Sequence, residues 1–443
     1  MKSFGLEITE WSSLDRAQQT KALRRPAVST AGLSKSVAEI ISSVREGGDE
    51  TLLRLTREFD GAELNKLEVA GEEIAAAVRK TTPEIVSAIK DASQRIRTFH
   101  AADLPQERSL ETAPGLQCTV TYRPQTVVGI YVPGGTAPLI STVLMLAIPA
   151  RLAGCREVVM CSPPGRDGRI GNEVLAAASL CGVDRVFCLG GAQAIAAMAY
   201  GTASIPRCNK LFGPGNSWVT EAKQQVSQDP QGAAIDMPAG PSEVLVIADA
   251  GALQDQGVEF IAWDLLSQAE HGADSQVLLV SDSHDLAAAV IERVCELAAA
   301  SPRLALLEKS LPASRIIVVD SLEEAMAISN EYAPEHLILN TQNAREFAGQ
   351  VLHAGSVFIG RWTPESLGDY CSGPNHVLPT YGFARAHGAL GVGDFMRRMT
   401  LQEASQEALR ATGPTAELLA ACEGLDAHRM AVRARLDYLE RSW

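Results

Sequence analysis

The 443-residue chain carries 46% hydrophobic and 21% charged residues, the balance of a globular protein with a large buried core and not of a disordered or fibrous one. Its formal net charge of −14 argues against a sequence-independent hold on nucleic acid, which needs clustered Lys and Arg over phosphates. At this length two main domains are expected, and small-molecule chemistry is favoured.

The chain turns acidic at Glu7, where a signal peptide would need an apolar core. The best membrane-span candidate, residues 143–152, is short and broken by Pro149. A cytoplasmic protein is therefore expected. The nine cysteines are scattered with no CxxC pair, which points to reduced, mostly buried thiols and to neither a disulfide framework nor a cysteine-rich zinc knuckle.

Residues 1–30 read as a polar, helix-prone arm with a break at Pro26, too short for a core of its own. From 34 to 100 the pattern is helical, with Val37, Ile40, Ile41 and Val44 at helix spacing, then Leu52, Leu53 and Leu55, and Ile85, Ile89 and Ile96 after Pro83. Between 125 and 249 strands and helices alternate, the mark of βαβ units on a mainly parallel sheet. Strands are predicted at 127–132, 157–161, 185–189 and 210–212. Three of them run into glycine turns: Pro133-Gly134-Gly135, Gly190-Gly191-Ala192-Gln193 and Gly213-Pro214-Gly215-Asn216. Glycine there lets backbone N–H groups approach a phosphate, and a following helix N-terminus adds partial positive charge.

A second alternating series has strands at 243–247, 276–280, 315–319, 336–339 and 356–359, with helices at 253–271, 286–300, 322–332 and 344–352. The expected fold is therefore α/β, with two Rossmann-like modules on mainly parallel sheets, a short N-terminal arm and a small C-terminal helical unit. The expected division is an arm at 1–30, one α/β domain from 31–125 with 243–380, a second from 126–242, and a C-terminal unit at 381–443 ending in a helix over 416–439.

Four places could carry chemistry. Gln268 and His271 stand three positions apart at the polar end of an apolar helix, so a carbonyl oxygen and an imidazole can converge on one cation. The same residues also read as a plain helix end, with His271 near the negative dipole end and Gly272 as a left-handed cap. Glu335 and His336 follow Pro334 at a helix-to-strand junction, where an imidazole could remove an alcohol proton and a carboxylate could activate water. Equally, Glu335 could cap locally and His336 merely begin a strand. Residues 365–376 carry too much Gly and Pro for a helix and read as an ordered loop, with Asp369 as an oxygen ligand or a turn former and His376 as a further imidazole. In the last helix, His428 shares an apolar face with Leu425, Val432, Leu436 and Leu439, a setting that more often holds a core histidine than a ligand. Glu423, five positions earlier, converges with His428 only if Gly424 interrupts the helix or if the two touch different parts of a ligand. Neither GxGxxG after a strand nor GxxxxGK[ST] occurs.

Seven motifs occur in one order along nearly the whole chain: Ile130-Tyr131-Val132-Pro133-Gly134-Gly135, Gly190-Gly191-Ala192-Gln193-Ala194, Phe212-Gly213-Pro214-Gly215-Asn216, Asp236-Met237-Pro238-Ala239-Gly240-Pro241-Ser242-Glu243, Ser267-Gln268-Ala269-Glu270-His271-Gly272, Pro334-Glu335-His336 and Asn375-His376-Val377-Leu378-Pro379-Thr380. In these the chain resembles the histidinol dehydrogenases. The resemblance implies a cytoplasmic, zinc-dependent homodimer that oxidises L-histidinol to L-histidine with two NAD. It implies zinc on Gln268, His271, Asp369 and His428, with Glu335 and His336 as the catalytic pair. The substrate would meet Ser242, His376 and Glu423 as well as the zinc ligands and His336, and NAD would meet Tyr131, Gln193 and Asn216. Glu423 and His428 would come from the partner subunit. By the same resemblance the 31–125/243–380 domain carries substrate and zinc, 126–242 carries NAD, and 381–443 serves dimerisation. Pro374, beside His376, departs from the family's commoner Thr. A thiohemiacetal route through Cys118 or Cys155, a zinc hydrolase with Glu335 as base, a non-enzymatic binding protein, and a related dehydrogenase for another small alcohol are the rival readings.

Overall fold

The computed structural model describes residues 4–26, 32–134, 139–238 and 240–441. Gly135 and Ala239, which belong to two of the motifs above, lie outside the described residues, as do 27–31 between the arm and the first long helix. In chain order the strands are β1 (Ile8–Glu10), β2 (Arg108–Ala113), β3 (Leu116–Pro124), β4 (Val127–Tyr131), β5 (Glu157–Ser162), β6 (Arg185–Cys188), β7 (Lys210–Phe212), β8 (Ala234–Ile235), β9 (Glu243–Ala248), β10 (Gln276–Ser281), β11 (Arg315–Val318), β12 (His336–Asn340), β13 (Ser356–Ile359) and β14 (Met396–Ala404).

These strands form two parallel sheets and one antiparallel sheet. A six-stranded sheet has the order β1-β11-β10-β9-β12-β13 and a five-stranded sheet the order β6-β5-β4-β7-β8, with every pairing in both parallel. The third is antiparallel, β14-β3-β2. The expected α/β class and the two alternating series are thus present, and the nine strands predicted in them lie within a residue or two of their places. Runs such as Val244–Val246 and Leu278–Val280 are fully buried because helices cover both faces of a parallel sheet. Truncating one such Leu or Ile to Ala costs about 2–5 kcal/mol.

Two packing assignments differ from expectation. The helices over 33–102 cover the five-stranded sheet and not the six-stranded one. Val37, Ile41, Val44, Leu52 and Leu55 of the helix Leu33–Asp60 pack with Tyr131, Phe187, Ile195 and Val219. The next two helices, Gly71–Lys80 and Pro83–Ala102, pack on Asn172–Cys181 and Ile140–Leu152. The intervening segment runs beside β6, where Val69 N–H donates to the Val186 carbonyl (2.9 Å) and Cys188 N–H to the Leu67 carbonyl (2.8 Å). An apolar face specifies that it must be buried, not which sheet buries it. The arm, in turn, supplies the edge strand β1 to the six-stranded sheet, pairing Ile8 with Ile316.

Local structure differs in two further places. The stretch predicted as one helix over 416–439 is two helices, Gln406–Cys422 and Asp426–Arg441, because Gly424 takes the left-handed conformation between them (φ 71°). The segment read as a loop contains the helix Glu365–Tyr370, with Pro364 outside its start, where proline is tolerated. Among the described residues no helix is long and apolar enough to cross a membrane.

His100, in the helix Pro83–Ala102, is 1% exposed, and neither ring nitrogen has a hydrogen-bond partner. Burial holds its pKa below the ordinary histidine value of about 6.5. The folded chain therefore binds this proton less readily than the unfolded one. The stability this group confers is complete above the unfolded pKa and drains as pH falls from there through the lower folded-state value. His100→Leu is expected to flatten that dependence: its thermal midpoint falls less than that of the wild type between about pH 7.5 and about pH 5.5, measured by calorimetry.

Candidate active site

Adjacent strands of the six-stranded sheet bring the reactive groups together. Glu243 begins β9 and His336 begins β12, and the register sets His336 beside Val244. The backbone of Glu243 then serves both members of the expected pair. Its N–H donates to Glu335 Oε2 at 2.8 Å, and its carbonyl accepts from His336 Nδ1 at 3.0 Å. A carbonyl can only accept, so this contact places one imidazole proton on Nδ1 and makes Nε2 the nitrogen that gains or loses the other. Nε2 is buried without a hydrogen-bond partner and stands 3.6 Å from Asp369 Oδ1. Ala333, two residues before Glu335, has φ 54°, unusual for a non-glycine residue, and ends the helix Leu322–Tyr332 so that Pro334 can turn the chain into β12.

Three carboxylates and an amide surround this imidazole. Burial pushes the pKa of Glu335 up to about 8 and that of Glu365 up to about 8. Burial alone would lower His336, but Glu335, Asp369 and Glu365 together outweigh it and raise it. Burial also works against ionised Asp369, yet its contact with His336 and the nearby His376 and His271 hold it below its ordinary value. Gln268 is 1% exposed. In the amide orientation that satisfies both its ends, its nitrogen donates to Glu365 Oε1 (2.6 Å) and its oxygen accepts from Glu243 N–H (3.2 Å). Ser267 Oγ also donates to Glu365 Oε1 (3.1 Å).

Two further imidazoles are pre-oriented. His271 Nδ1 is 3.0 Å from the Ser267 carbonyl and His376 Nδ1 is 2.9 Å from the Asp369 carbonyl. Each Nδ1 proton is thus engaged by a backbone oxygen and each Nε2 is left as a ligand or base, the arrangement that metal-binding histidines commonly have. The helix bearing Gln268 ends at Ala269 with Glu270 in right-handed geometry, so the helix expected over 253–271 stops two residues before His271, and Gly272 is not the left-handed cap that the plain helix-end reading needs. His376 is steered by its buried neighbour Asn375, whose side chain donates to the Met145 carbonyl (2.6 Å) and accepts from Val377 N–H (2.9 Å). Ser242 directly precedes Glu243 and is half-buried.

Gln268, His271, Asp369 and His376 therefore gather round Glu335 and His336. Glu423 and His428 do not: both are exposed on the C-terminal helices, and of the apolar face expected beside His428, Leu436 and Leu439 are buried whereas Leu425 is exposed. Among the described residues no three of His, Cys, Asp and Glu lie at metal-binding spacing in this one chain. The set fits a zinc ion only in part: a buried amide oxygen, an imidazole with a free Nε2 and an ionised carboxylate are suitable donors, with a fourth wanting.

Tyr131, Gln193 and Asn216 converge elsewhere, on a cleft of about 1000 Å³ at the carboxyl edge of the five-stranded sheet, where Gly134 and Gly191 also line it. Gly191 N–H donates to Tyr131 Oη (3.1 Å), and Asn216 Oδ1 caps the helix Ser217–Gln228 by accepting from Trp218 and Val219 N–H (both 3.1 Å). Gly213 is required beside them: it has φ 117°, and a Cβ there would stand 2.3 Å from the Tyr131 carbonyl oxygen. A buried Lys223–Asp236 ion pair holds that turn, with Lys223 donating to the Gly213 carbonyl (2.9 Å) and Asp236 accepting from Gly213 N–H (2.8 Å). The cleft and the carboxylate–imidazole cluster are lined by different residues.

The sequence reading did not single out Glu243, Glu365, Ser267, Arg25, Lys223 or Asp236. Glu243 had a usable signal, since a carboxylate opening a wholly apolar strand must find a partner on burial. The two rival cysteines have no place in the cluster. Cys155 is buried against the Phe395 carbonyl (3.6 Å) with its thiol pushed up to about 11, and Cys118 lies on the antiparallel sheet.

The family model described as histidinol dehydrogenase matches residues 23–436. The chain is 55% identical over 432 residues to the histidinol dehydrogenase of Xanthomonas axonopodis pv. citri, covering 97% of this chain and 99% of that protein. It is 51% identical over 434 residues to the histidinol dehydrogenase of Escherichia coli strain K12, covering 98% of each. The crystal structure of histidinol dehydrogenase from Elizabethkingia anophelis superposes with a TM-score of 0.94 at 41% identity, covering 99% of both chains.

The backbone under the pair has no slack at Gly355. Its N–H donates to the Pro334 carbonyl (3.0 Å), and an added Cβ would stand 2.6 Å from the Glu335 carbonyl oxygen, with Leu378 and Pro379 beside it. Gly355→Ala is expected to lower stability by about 1–3 kcal/mol, measured by denaturant unfolding. An unchanged midpoint would mean that the Pro334–Glu335 turn can yield.

Proposed function

Because the chain belongs to the histidinol dehydrogenase family, we propose that it oxidises L-histidinol to L-histidine in two hydride transfers, using NAD and a zinc site completed by a second copy. The observation that carries this reading is the buried imidazole of His336, whose Nδ1 is held by the Glu243 carbonyl beside Glu335 while Nε2, without a hydrogen-bond partner, faces Asp369.

Gln268, His271 and Asp369, with His428 of the partner subunit, would hold the zinc. When bound, zinc would supply a Lewis-acid anchor for the amine and imidazole of the substrate. With Asp369 engaged as a ligand, its charge no longer favours a proton on His336. His336 Nε2 then takes the hydroxyl proton as the carbinol carbon gives up its first hydride to NAD. Glu335 takes a proton from the water that hydrates the resulting aldehyde, a role suited to a carboxylate whose pKa burial has brought up to about 8. His336 serves again as base when the hydrate gives up a second hydride. Ser242 and His376, with Glu423 of the partner subunit, would orient the substrate, and keeping the aldehyde in place protects it from cellular amines.

NAD is assigned to the cleft of Tyr131, Gln193 and Asn216, where the N-terminus of the helix Ser217–Gln228 and the glycine turns can receive phosphates. Dimerisation is supported by apolar surface on the C-terminal helices that also carry Glu423 and His428: Leu418 is 71% and Leu419 59% exposed. A cytoplasmic location accords with a role in histidine biosynthesis.

Purified protein with L-histidinol, NAD and zinc is expected to yield two NADH per histidinol consumed, and His336→Asn to lower kcat by about 10²- to 10⁴-fold. No NADH release in the presence of zinc would refute the substrate assignment, and a single NADH the second oxidation. Dialysis against EDTA should abolish turnover and zinc should restore it, while Asp369→Ala should lower the bound zinc found by elemental analysis. Full activity in verified metal-free protein would overturn the zinc assignment.

A further inference from the structure

The N-terminal arm ends against the reactive cluster. Arg25, 11% exposed at its side chain, forms a bidentate ion pair with Glu243, whose side chain is 1% exposed: Nε meets Oε1 and Nη2 meets Oε2 at 2.9 Å. The guanidinium also donates to the Tyr332 carbonyl (2.8 Å) and lies 3.8 Å from the centre of the Tyr332 ring. A second backbone link joins the arm here, because buried Gln276 donates to the Arg24 carbonyl (3.1 Å) and accepts from Tyr332 Oη (2.8 Å). On the other side, Tyr381 N–H donates to Glu243 Oε1 (3.0 Å), and Tyr381 Oη donates to the Pro26 carbonyl.

Two of the residues touching this pair, Ala333 and Tyr381, hold left-handed backbone at φ 54° and 58°. Non-glycine residues stay there only where the surroundings over-determine them, and such strain gathers at working sites. The pair brings that constraint to bear on the backbone of one residue: the N–H of Glu243 fixes Glu335 and its carbonyl fixes His336.

We infer that Arg25 is a positioning residue for the reaction: through the buried Glu243 side chain it locks the Glu243 backbone, whose N–H aims Glu335 and whose carbonyl orients His336. The inference rests on the histidinol dehydrogenase reading above. Arg25 touches neither Glu335 nor His336, so its loss should disturb the proton-transfer geometry and leave substrate and zinc binding in place.

The test is Arg25→Gln in the full-length, zinc-loaded enzyme. The expected result is a fall in kcat of about 10- to 100-fold, with the KM for histidinol and the zinc content within about twofold of wild type. Millimolar guanidinium is expected to recover part of the loss in Arg25→Ala, which a general folding defect would not allow. Hydrogen exchange at the Glu243 amide should quicken in the variant, and that measurement holds whatever the substrate. A kcat within twofold of wild type, or an unchanged exchange rate, overturns the inference; equal losses in KM and zinc content also overturn it, by making Arg25 merely structural. If Arg25→Gln does not fold, Arg25→Lys is read by the same criteria, since it keeps the charge but not the two parallel bonds. Wild-type protein that turns over no histidinol would sink the functional reading alone, and the exchange result would still decide the role of the arm.

Discussion

The backbone of one residue, Glu243, is what the reactive centre depends on. Its N–H and its carbonyl belong to the two planar peptides that flank its Cα, both committed to the same strand, so groups bonded to them inherit the precision of the sheet. Glu335 takes the N–H and His336 gives its Nδ1 proton to the carbonyl. Parallel pairing of β9 with β12 makes this possible, since it brings two strand beginnings, far apart in sequence, to the same level. Loops alone would have left the carboxylate and the imidazole free to find other partners in so crowded a cluster.

The two parallel sheets divide their labour by edge. In the five-stranded sheet the cleft lies beyond the carboxyl ends of the strands, where glycine turns lead into helices, the usual place for a ligand in an open α/β sheet. In the six-stranded sheet the cluster lies at the amino ends of the strands, beside the short helix Glu365–Tyr370. Carboxylates buried there find histidine, arginine and amide partners. Burial in that setting explains why Glu335 and Glu365 titrate far from their ordinary values.

Much of this could be read from the residues. Apolar runs such as 244–248 and 277–280 mark buried strands, and the motifs carry the family. What could not be read follows from physics that is non-local. The face of the helix Leu33–Asp60 says that it packs but not on which sheet. β14 carries almost wholly exposed residues, so burial imposes no alternation by which to recognise it. Gln268 and His271 were ambiguous because two donors on one turn of helix fit a cap as well as a cation. The helix Glu365–Tyr370 was hidden by flanking Gly and Pro, and the bonds from the Glu243 backbone to Glu335 and His336 follow from the strand register, which a lone carboxylate opening an apolar strand does not reveal.

The tethering of His336 by its Nδ1 has a consequence for proton traffic. An imidazole free to rotate could offer a fresh nitrogen to each of two successive deprotonations, but this ring has a single available lone pair, in a pocket shut off from solvent. In a two-step oxidation the proton captured first must leave before the second can be accepted. Two carboxylates stand 3.6 Å from the ring; Asp369, beside Nε2, is assigned to the zinc, which leaves Glu335, beside Nδ1, to receive it. Turnover would then be paced by emptying the base between hydride transfers, and heavy water would slow the interval between the two oxidations as well as the oxidations themselves.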